Sequence, residues 1–195
     1  MRPDLPSLKQ DLRARALAKR EKITGEAAAA FALRLAQEGL ALAARLRPAV
    51  ASAYFPLGKE ASTLPLLEQL AAAGIKTALP VTGKRGSPLV FRFWRPGEPT
   101  VNGKMGISEP LPSAAEAEPD LLFVPLAAFD RKGRRLGYGA GFYDLTLAKL
   151  RAKKPVCAAG VAFAAQEWPE IPAEAHDEHL DYVLTERELI DCRTS

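Results

Sequence analysis

The segment Arg134–Asp144, R-R-L-G-Y-G-A-G-F-Y-D, holds the densest set of residues suited to chemistry. Gly137, Gly139 and Gly141 alternate with other residues, and glycine permits positive φ and close backbone approach to a ligand. Successive N–H groups in such a loop form an anion nest, and a helix starting behind it adds positive partial charge. Arg134 and Arg135 supply guanidinium forks that match phosphate oxygens. Asp144 is placed to hold a metal that bridges phosphates. The segment is neither a Walker A loop nor a dinucleotide fingerprint. By residue type it is a phosphate loop or a structural tight loop.

Four further groups have chemical potential. Lys9 and Arg13 lie one helical turn apart and share a face. They become a phosphate clamp if the fold brings their helix to the glycine loop, and are otherwise a solvated basic face. Glu60, in FPLGKEAST, is a carboxylate able to accept hydrogen bonds from a ligand's amine edge, or a plain surface acid. In MGISEP, Gly106 and Pro110 fix a loop or a simple turn around Glu109. The sequence His176-Asp177, with His179 and Asp181 beyond it, suggests a metal. There are only 2 histidines, which excludes a His₃ zinc site. Asp177 is better suited to Mg²⁺, which takes one or two carboxylates plus substrate phosphates; a solvated polar loop is the alternative. Phe55, Trp94, Tyr143 and Trp168 are candidates for an aromatic wall or for the core. Cys157, inside an apolar strand, reads as an inert core thiol, and Cys192 lies near a frayed terminus with no base beside it.

These residues need a scaffold. Ser7 and Gln10 form a capping-box pattern that predicts a helix over 8–19. Thr24 predicts the N-cap of a long Ala/Leu/Arg-rich helix to Leu46, loosened at Gly39 and ended by Pro48. Strands are predicted over 49–55, 76–80, 89–95, 120–125, 155–163 and 181–184. Helices are predicted over 63–73, stopped by Gly74, and over 141–152; a terminal helix is predicted from Thr185. The Pro- and Gly-rich stretch from Arg95 to Glu118 reads mostly as loop. Strands alternating with helices predict a three-layer α/β/α sandwich with a mainly parallel, Rossmann-like central sheet. Ligands then belong beyond the carboxyl ends of the strands, in the loops after Phe55, Pro125 and Phe163.

The 195 residues, without an internal repeat or linker, predict one domain over 1–195. Hydrophobic residues at 48% and charged residues at 26% are ordinary globular values, which exclude a disordered chain. The net charge of +4 suits a small anionic ligand but gives no basic stripe for nucleic acid. Two cysteines cannot build a disulfide scaffold, so a reducing cytoplasm is the expected compartment. The first residues have no apolar signal region, and no unbroken apolar run approaches a membrane span.

Taken in order, the pieces resemble the 5-formyltetrahydrofolate cyclo-ligase family. The resemblance is carried by Lys9 and Arg13; Tyr54-Phe55 and Glu60; Gly106-Ile107-Ser108-Glu109-Pro110; VPLAAFDRKGRRLGYGAGFYD over 124–144; and Phe163, Gln166, Pro172, His176 and Asp177. Ala140 stands where the family commonly has Gly or Lys, and Phe142 where it has Tyr. The resemblance implies ATP-dependent closure of 5-formyltetrahydrofolate to 5,10-methenyltetrahydrofolate through a phosphorylated formyl group (an imidate phosphate), with release of ADP and phosphate. It implies that ATP is held by Lys9, Arg13 and the run Arg135, Leu136, Gly137, Tyr138, Gly139, Ala140, Gly141, Phe142 and Tyr143. The folate would meet Phe55, Glu60, Tyr138, Gly141 and Phe142, with Arg135 and Tyr143 at the reacting junction and Mg²⁺ on Asp144 and Asp177. A monomer acting on folate, with or without a polyglutamate tail, is expected, with neither nucleic acid nor membrane as partner. A sugar-phosphate isomerase or acyl-CoA transferase is the rival enzyme, and a non-catalytic anion-binding module the rival of another class.

Overall fold

The computed structural model describes residues 4–194. The first helix, α1 (Leu5–Arg20), begins earlier than the capping-box pattern predicts. Asp4, not Ser7, is its N-cap, accepting from the Ser7 N–H at 2.9 Å. Helix α2 (Gly25–Leu46) starts at Thr24 as expected, with the hydroxyl accepting from the Ala27 N–H at 3.2 Å. It runs unbroken through Gly39, where an added Cβ would sit 2.7 Å from the Leu66 side chain. That glycine sets a close helix crossing rather than a loose point. Arg47, at φ 52°, ends the helix just before Pro48. By length and hydropathy α2 matches a membrane span, a property not apparent from unbroken apolar runs. Its Phe31, Leu35, Ala36, Leu42 and Ala43 nevertheless pack into the core.

The remaining elements build the sheet. They are β1 (Val50–Ser52), α3 (Leu64–Ala72), β2 (Lys76–Val81), β3 (Val90–Phe93), β4 (Thr100–Asn102), β5 (Ser108–Pro110) and β6 (Glu116–Ala117). There follow β7 (Leu121–Pro125), β8 (Ala128–Phe129), β9 (Arg135–Leu136), α4 (Phe142–Arg151), β10 (Cys157–Val161), β11 (Tyr182–Leu184) and β12 (Leu189–Asp191). The main sheet has 8 strands in the order β12-β11-β10-β7-β1-β2-β3-β6. The inner run from β11 to β2 is parallel, and β12, β3 and β6 join antiparallel at the edges.

Alternation along β7 divides the core. Leu121 and Phe123 face α2 and α3, while Leu122 and Val124 face α4 with Leu147 and Leu150. This is the expected three-layer α/β/α sandwich. The chain leaves β1 toward β2 and leaves β7 toward β10, so the strand order reverses between β1 and β7.

Two expectations need correction. The terminal segment is not helical. Thr185 closes a turn, its hydroxyl oxygen accepting from the N–H groups of Arg187 and Glu188, and the chain returns as β12 to cover an otherwise open edge. The Arg95–Glu118 stretch holds the β4–β5 hairpin and β6. Its strands are two or three residues long, too short for a periodic sequence pattern to register.

Gly133 shows how tightly the glycine-loop approach is built. It has φ +80°, and an added Cβ would lie 2.3 Å from the Leu180 carbonyl oxygen. Gly133→Ala is therefore expected to destabilise the fold by about 2–4 kcal/mol, read as a lower urea midpoint at unchanged slope.

Candidate functional site

The loop after β1 is pinned from within. Thr63 occupies the N-cap position of α3, but its hydroxyl makes no capping bond and donates to the Tyr54 carbonyl at 2.5 Å. The Tyr54 hydroxyl donates to the Ala61 carbonyl at 2.9 Å. Those bonds hold Phe55 and Glu60 over the end of the sheet. Glu60 Oε2 accepts from the Leu57 N–H at 2.9 Å. Phe55 meets Trp94 edge-on at 6.1 Å between ring centres.

The loops after β7 and β10 are joined by Gln166. Its buried amide donates to the carbonyls of Leu126 and Ala127 at 3.0 and 2.9 Å, and its oxygen accepts from the Phe163 N–H. Asp130, also buried, accepts from the N–H groups of Lys132, Arg134 and Ile171, shaping the turn that leads to β9. The glycine loop follows. Gly139 and Gly141 have φ of +94° and +69°, and Gly141 is the N-cap of α4. The loop thus needs glycine at both positions and ends on a helix N-terminus.

A cavity of about 440 Å³ opens between these loops at the switch point. Phe55, Glu60, Arg135, Gly137, Tyr138, Ala140, Gly141, Phe142, Tyr143 and Asp144 all line it. This is the size and the mixed apolar and polar lining of a small-molecule site. Arg20 and Leu17 from α1, Tyr54, and Ile107 and Ser108 from the β4–β5 hairpin also contribute to the wall.

Helix α1 does reach the glycine loop. Arg13 Nε donates to the Gly137 carbonyl at 2.8 Å, and its guanidinium lies beside Gly139. Lys9 Nζ lies 2.7 Å from Asp177 and 2.8 Å from Glu174. Arg135 is buried, donating to Asp144 Oδ1 at 2.7 Å and to the Glu178 carbonyl. Asp144 Oδ1 also accepts from the Glu178 N–H at 3.1 Å. Lys9 and Arg13 thus flank the cavity rather than line it, each held by a partner across the fold.

Burial sets the electrostatics. It pushes the Tyr54, Tyr138 and Tyr143 hydroxyls well above the usual phenol range, so all three are neutral donors at ordinary pH. It also raises the Glu60 carboxyl, against the opposing pull of Tyr138, the Leu57 N–H and Arg20. Asp177 goes the other way: the Lys9 ammonium and the Glu174 N–H outweigh its partial burial and hold it below the usual carboxylate range. Burial lifts both Cys157 and Cys192 to about 12, which leaves neither thiol nucleophilic.

Asp144 and Asp177 both favour the charged form of Arg135, Asp144 through a direct ion pair at 2.7 Å. Among the described residues, Glu174, His176 and Asp177 bring ligand atoms within 4.8 Å of one another, a set whose two carboxylates fit Mg²⁺; Asp144 stands outside it, paired with Arg135. The structure does not bring every predicted residue to the cavity. Leu136 turns into the α1 packing cluster with Leu12 and Ala16. Of the aromatic candidates, Phe55 and Tyr143 line the cavity, and Trp94 lies buried behind Phe55. Trp168 stands elsewhere, under the cations of Arg15 and Lys19. Glu109 is buried beneath Gly103 and accepts from the Thr82 N–H at 2.8 Å, so it fastens the hairpin to the end of β2. Sequence reasoning missed Arg20. The signal was present, since positions 9, 13 and 20 lie along one stripe of a helix.

A switch-point cavity bounded by a glycine loop and by a buried arginine paired with Asp144 defines a doubly wound α/β enzyme. The profile of the 5-formyltetrahydrofolate cyclo-ligase family matches residues 6–186. The cyclo-ligase of Mycolicibacterium smegmatis is 40% identical over 141 residues, covering 68% of this chain and 71% of that one. The Escherichia coli K12 enzyme of the same name is 38% identical over 133 residues, covering 65% and 71%. The NMR structure of Aquifex aeolicus 5,10-methenyltetrahydrofolate synthetase superposes with a TM-score of 0.79 at 25% identity, covering 95% of this chain and 93% of that one. The chain belongs to the 5-formyltetrahydrofolate cyclo-ligase family.

Proposed function

We propose that this chain uses ATP to convert 5-formyltetrahydrofolate into 5,10-methenyltetrahydrofolate, ADP and phosphate. The observation that carries the reading is one cavity with two kinds of wall. On one side stand Phe55 and Glu60, suited to a planar heterocycle with an amine edge. On the other runs the glycine loop, with Arg135 and Asp144 behind it and Lys9 and Arg13 on its flank.

A formamide oxygen is a poor leaving group. Its attack on the γ-phosphorus of ATP forms an O–P bond, breaks the bond to the β-phosphate oxygen and gives an imidate phosphate. N10 then attacks the activated formyl carbon, the C–O bond breaks, phosphate leaves, and the N10 proton passes to solvent or phosphate. The chain's part is positioning and charge neutralisation. Arg135, Lys9, Arg13 and the loop N–H groups hold the triphosphate. Glu60 and Phe55 hold the pterin, and the neutral Tyr143 hydroxyl donates near the junction. Asp144 and Asp177 would hold Mg²⁺, which when bound screens the phosphate charge. No covalent enzyme intermediate is needed, consistent with two unreactive thiols. A reducing cytoplasm, with both cysteines free, is the compartment that suits this reading.

The test is direct. The chain is mixed with 5-formyltetrahydrofolate and Mg²⁺, with and without ATP, and near-ultraviolet absorbance of the methenyl product is followed. Product that grows only with ATP supports the reading; none with pure protein sinks it. Lys9→Ala is expected to raise the KM for ATP about tenfold by removing one charge-assisted contact. The change in stability should stay under about 1 kcal/mol, because the ion pair is partly exposed. Equal KM in variant and wild type would remove Lys9 from the ATP site.

A further inference from the structure

We propose that Arg20 is a positioning residue for the substrate half of the site, clamping the Tyr138 hydroxyl and counter-charging Glu60 so that this carboxylate faces the pterin. The inference rests on the folate reading above. Arg20 is the last residue of α1, where the helix dipole favours a cation, yet only 8% of it is exposed. A buried guanidinium is costly without partners. Nη1 donates to the Tyr138 hydroxyl at 2.5 Å, and the guanidinium also lies 5.7 Å from the Tyr138 ring centre. Nε is buried with no acceptor among the described residues, although Arg20 lines the cavity.

The charges around Glu60 explain the arrangement. Arg20 faces it from α1, and Glu21 lines the same cavity. Tyr54 stands at the end of β1, Tyr138 on the glycine loop and Tyr143 on α4; Lys59 adjoins Glu60 on its own loop. Arg20, Tyr138 and Glu60 line one narrow crevice, where the Tyr138 hydroxyl accepts from Arg20 and donates to the Leu126 carbonyl at 3.4 Å, and both Tyr138 and the Arg20 charge favour the ionised carboxylate. The Leu57 N–H thus fixes the half-buried carboxylate, and Arg20, held against Tyr138, compensates its charge. An ionised Glu60 accepts from a pterin's paired N–H groups through both oxygens, whereas a protonated one turns one oxygen into a donor and keeps only weaker acceptor capacity.

The sign of the pH effect follows. Removing Arg20 or the Tyr138 hydroxyl makes Glu60 harder to ionise, so the acid limb of kcat/KM moves to higher pH. ATP-dependent methenyl formation is measured across about pH 5 to 8, with the ATP-free rate subtracted, for wild type, Arg20→Met, Arg20→Lys and Tyr138→Phe. Arg20→Met is expected to raise the KM for 5-formyltetrahydrofolate about tenfold and move the acid limb up by about one pH unit. The KM for ATP should stay within about twofold. Arg20→Lys keeps the charge and should leave the acid limb in place with a smaller rise in KM. If Arg20→Met does not fold, Tyr138→Phe carries the test, with the same upward move expected. An active wild type whose variant changes both KM values alike, or leaves the acid limb unmoved, overturns the inference alone. A wild type inert toward 5-formyltetrahydrofolate overturns the folate reading with it.

Discussion

Arg135→Met is expected to lower kcat/KM for ATP by about a hundredfold to a thousandfold, the usual cost of removing a preorganised charge from a site. Arg135 is the most enclosed cation of the glycine loop: its side chain is 4% exposed, against 25% for Asp144. Burial lowers its pKa, while Asp144 and Asp177 oppose that effect. The guanidinium is therefore held in place before any ligand arrives, and it need not reorganise when phosphate charge develops. Methionine fills the same space without charge, but it leaves the Glu178 carbonyl without that donor and Asp144 without its ion pair. Stability should fall by about 3 kcal/mol. Because that loss could mimic inactivity, turnover is measured well below the variant's melting temperature. A folded variant with near wild-type kcat/KM for ATP would show that the phosphate site lies elsewhere.

Much of this arrangement was legible before any coordinates. Alternating strands and helices gave the sandwich, because continuous apolar strands such as Leu121–Pro125 are those a parallel sheet buries on both faces. The glycine loop was legible because φ values such as those at Gly139 and Gly141 leave few alternatives to glycine. What escaped were features decided by distant contacts. Asp4 displaced Ser7 as a cap because it had the better approach to a free N–H, and both residue types cap well. The segment after Thr185 has helix-forming residues, but pairing with β11 satisfied the open edge. Arg20 went unread: it shares a helical stripe with Lys9 and Arg13, but nothing local signals that Tyr138 lies against it.

The same distance effect explains why single motifs were ambiguous and their combination was not. Lys9 with Arg13 alone is a surface pattern, and His176-Asp177 alone is a polar loop. Folding gives each its meaning. Lys9 reaches Asp177 across 168 positions, and Arg13 reaches the Gly137 carbonyl across 124. These bonds tie the first helix to the last third of the chain around the loop. The site is therefore assembled by tertiary contacts, which only an ordered set of motifs could foreshadow.

Asp144→Asn provides the sharpest test of that assembly. The substitution is nearly isosteric, and the amide oxygen can still accept from Arg135 and from the Glu178 N–H. The loss is one negative charge beside Arg135. If Asp144 only props up Arg135, the variant should melt somewhat lower and turn over at nearly the wild-type rate. If it is a cation ligand beside the phosphates, kcat should fall about a hundredfold or more, and the half-saturating Mg²⁺ concentration should rise. The second outcome is expected, because a carboxylate at the first turn of α4 lines the cavity as well as pairing with Arg135. Steady-state rates at limiting and saturating Mg²⁺, paired with a melt of each protein, separate the two. Unchanged turnover at limiting Mg²⁺ would leave Asp144 a structural partner of Arg135 and nothing more.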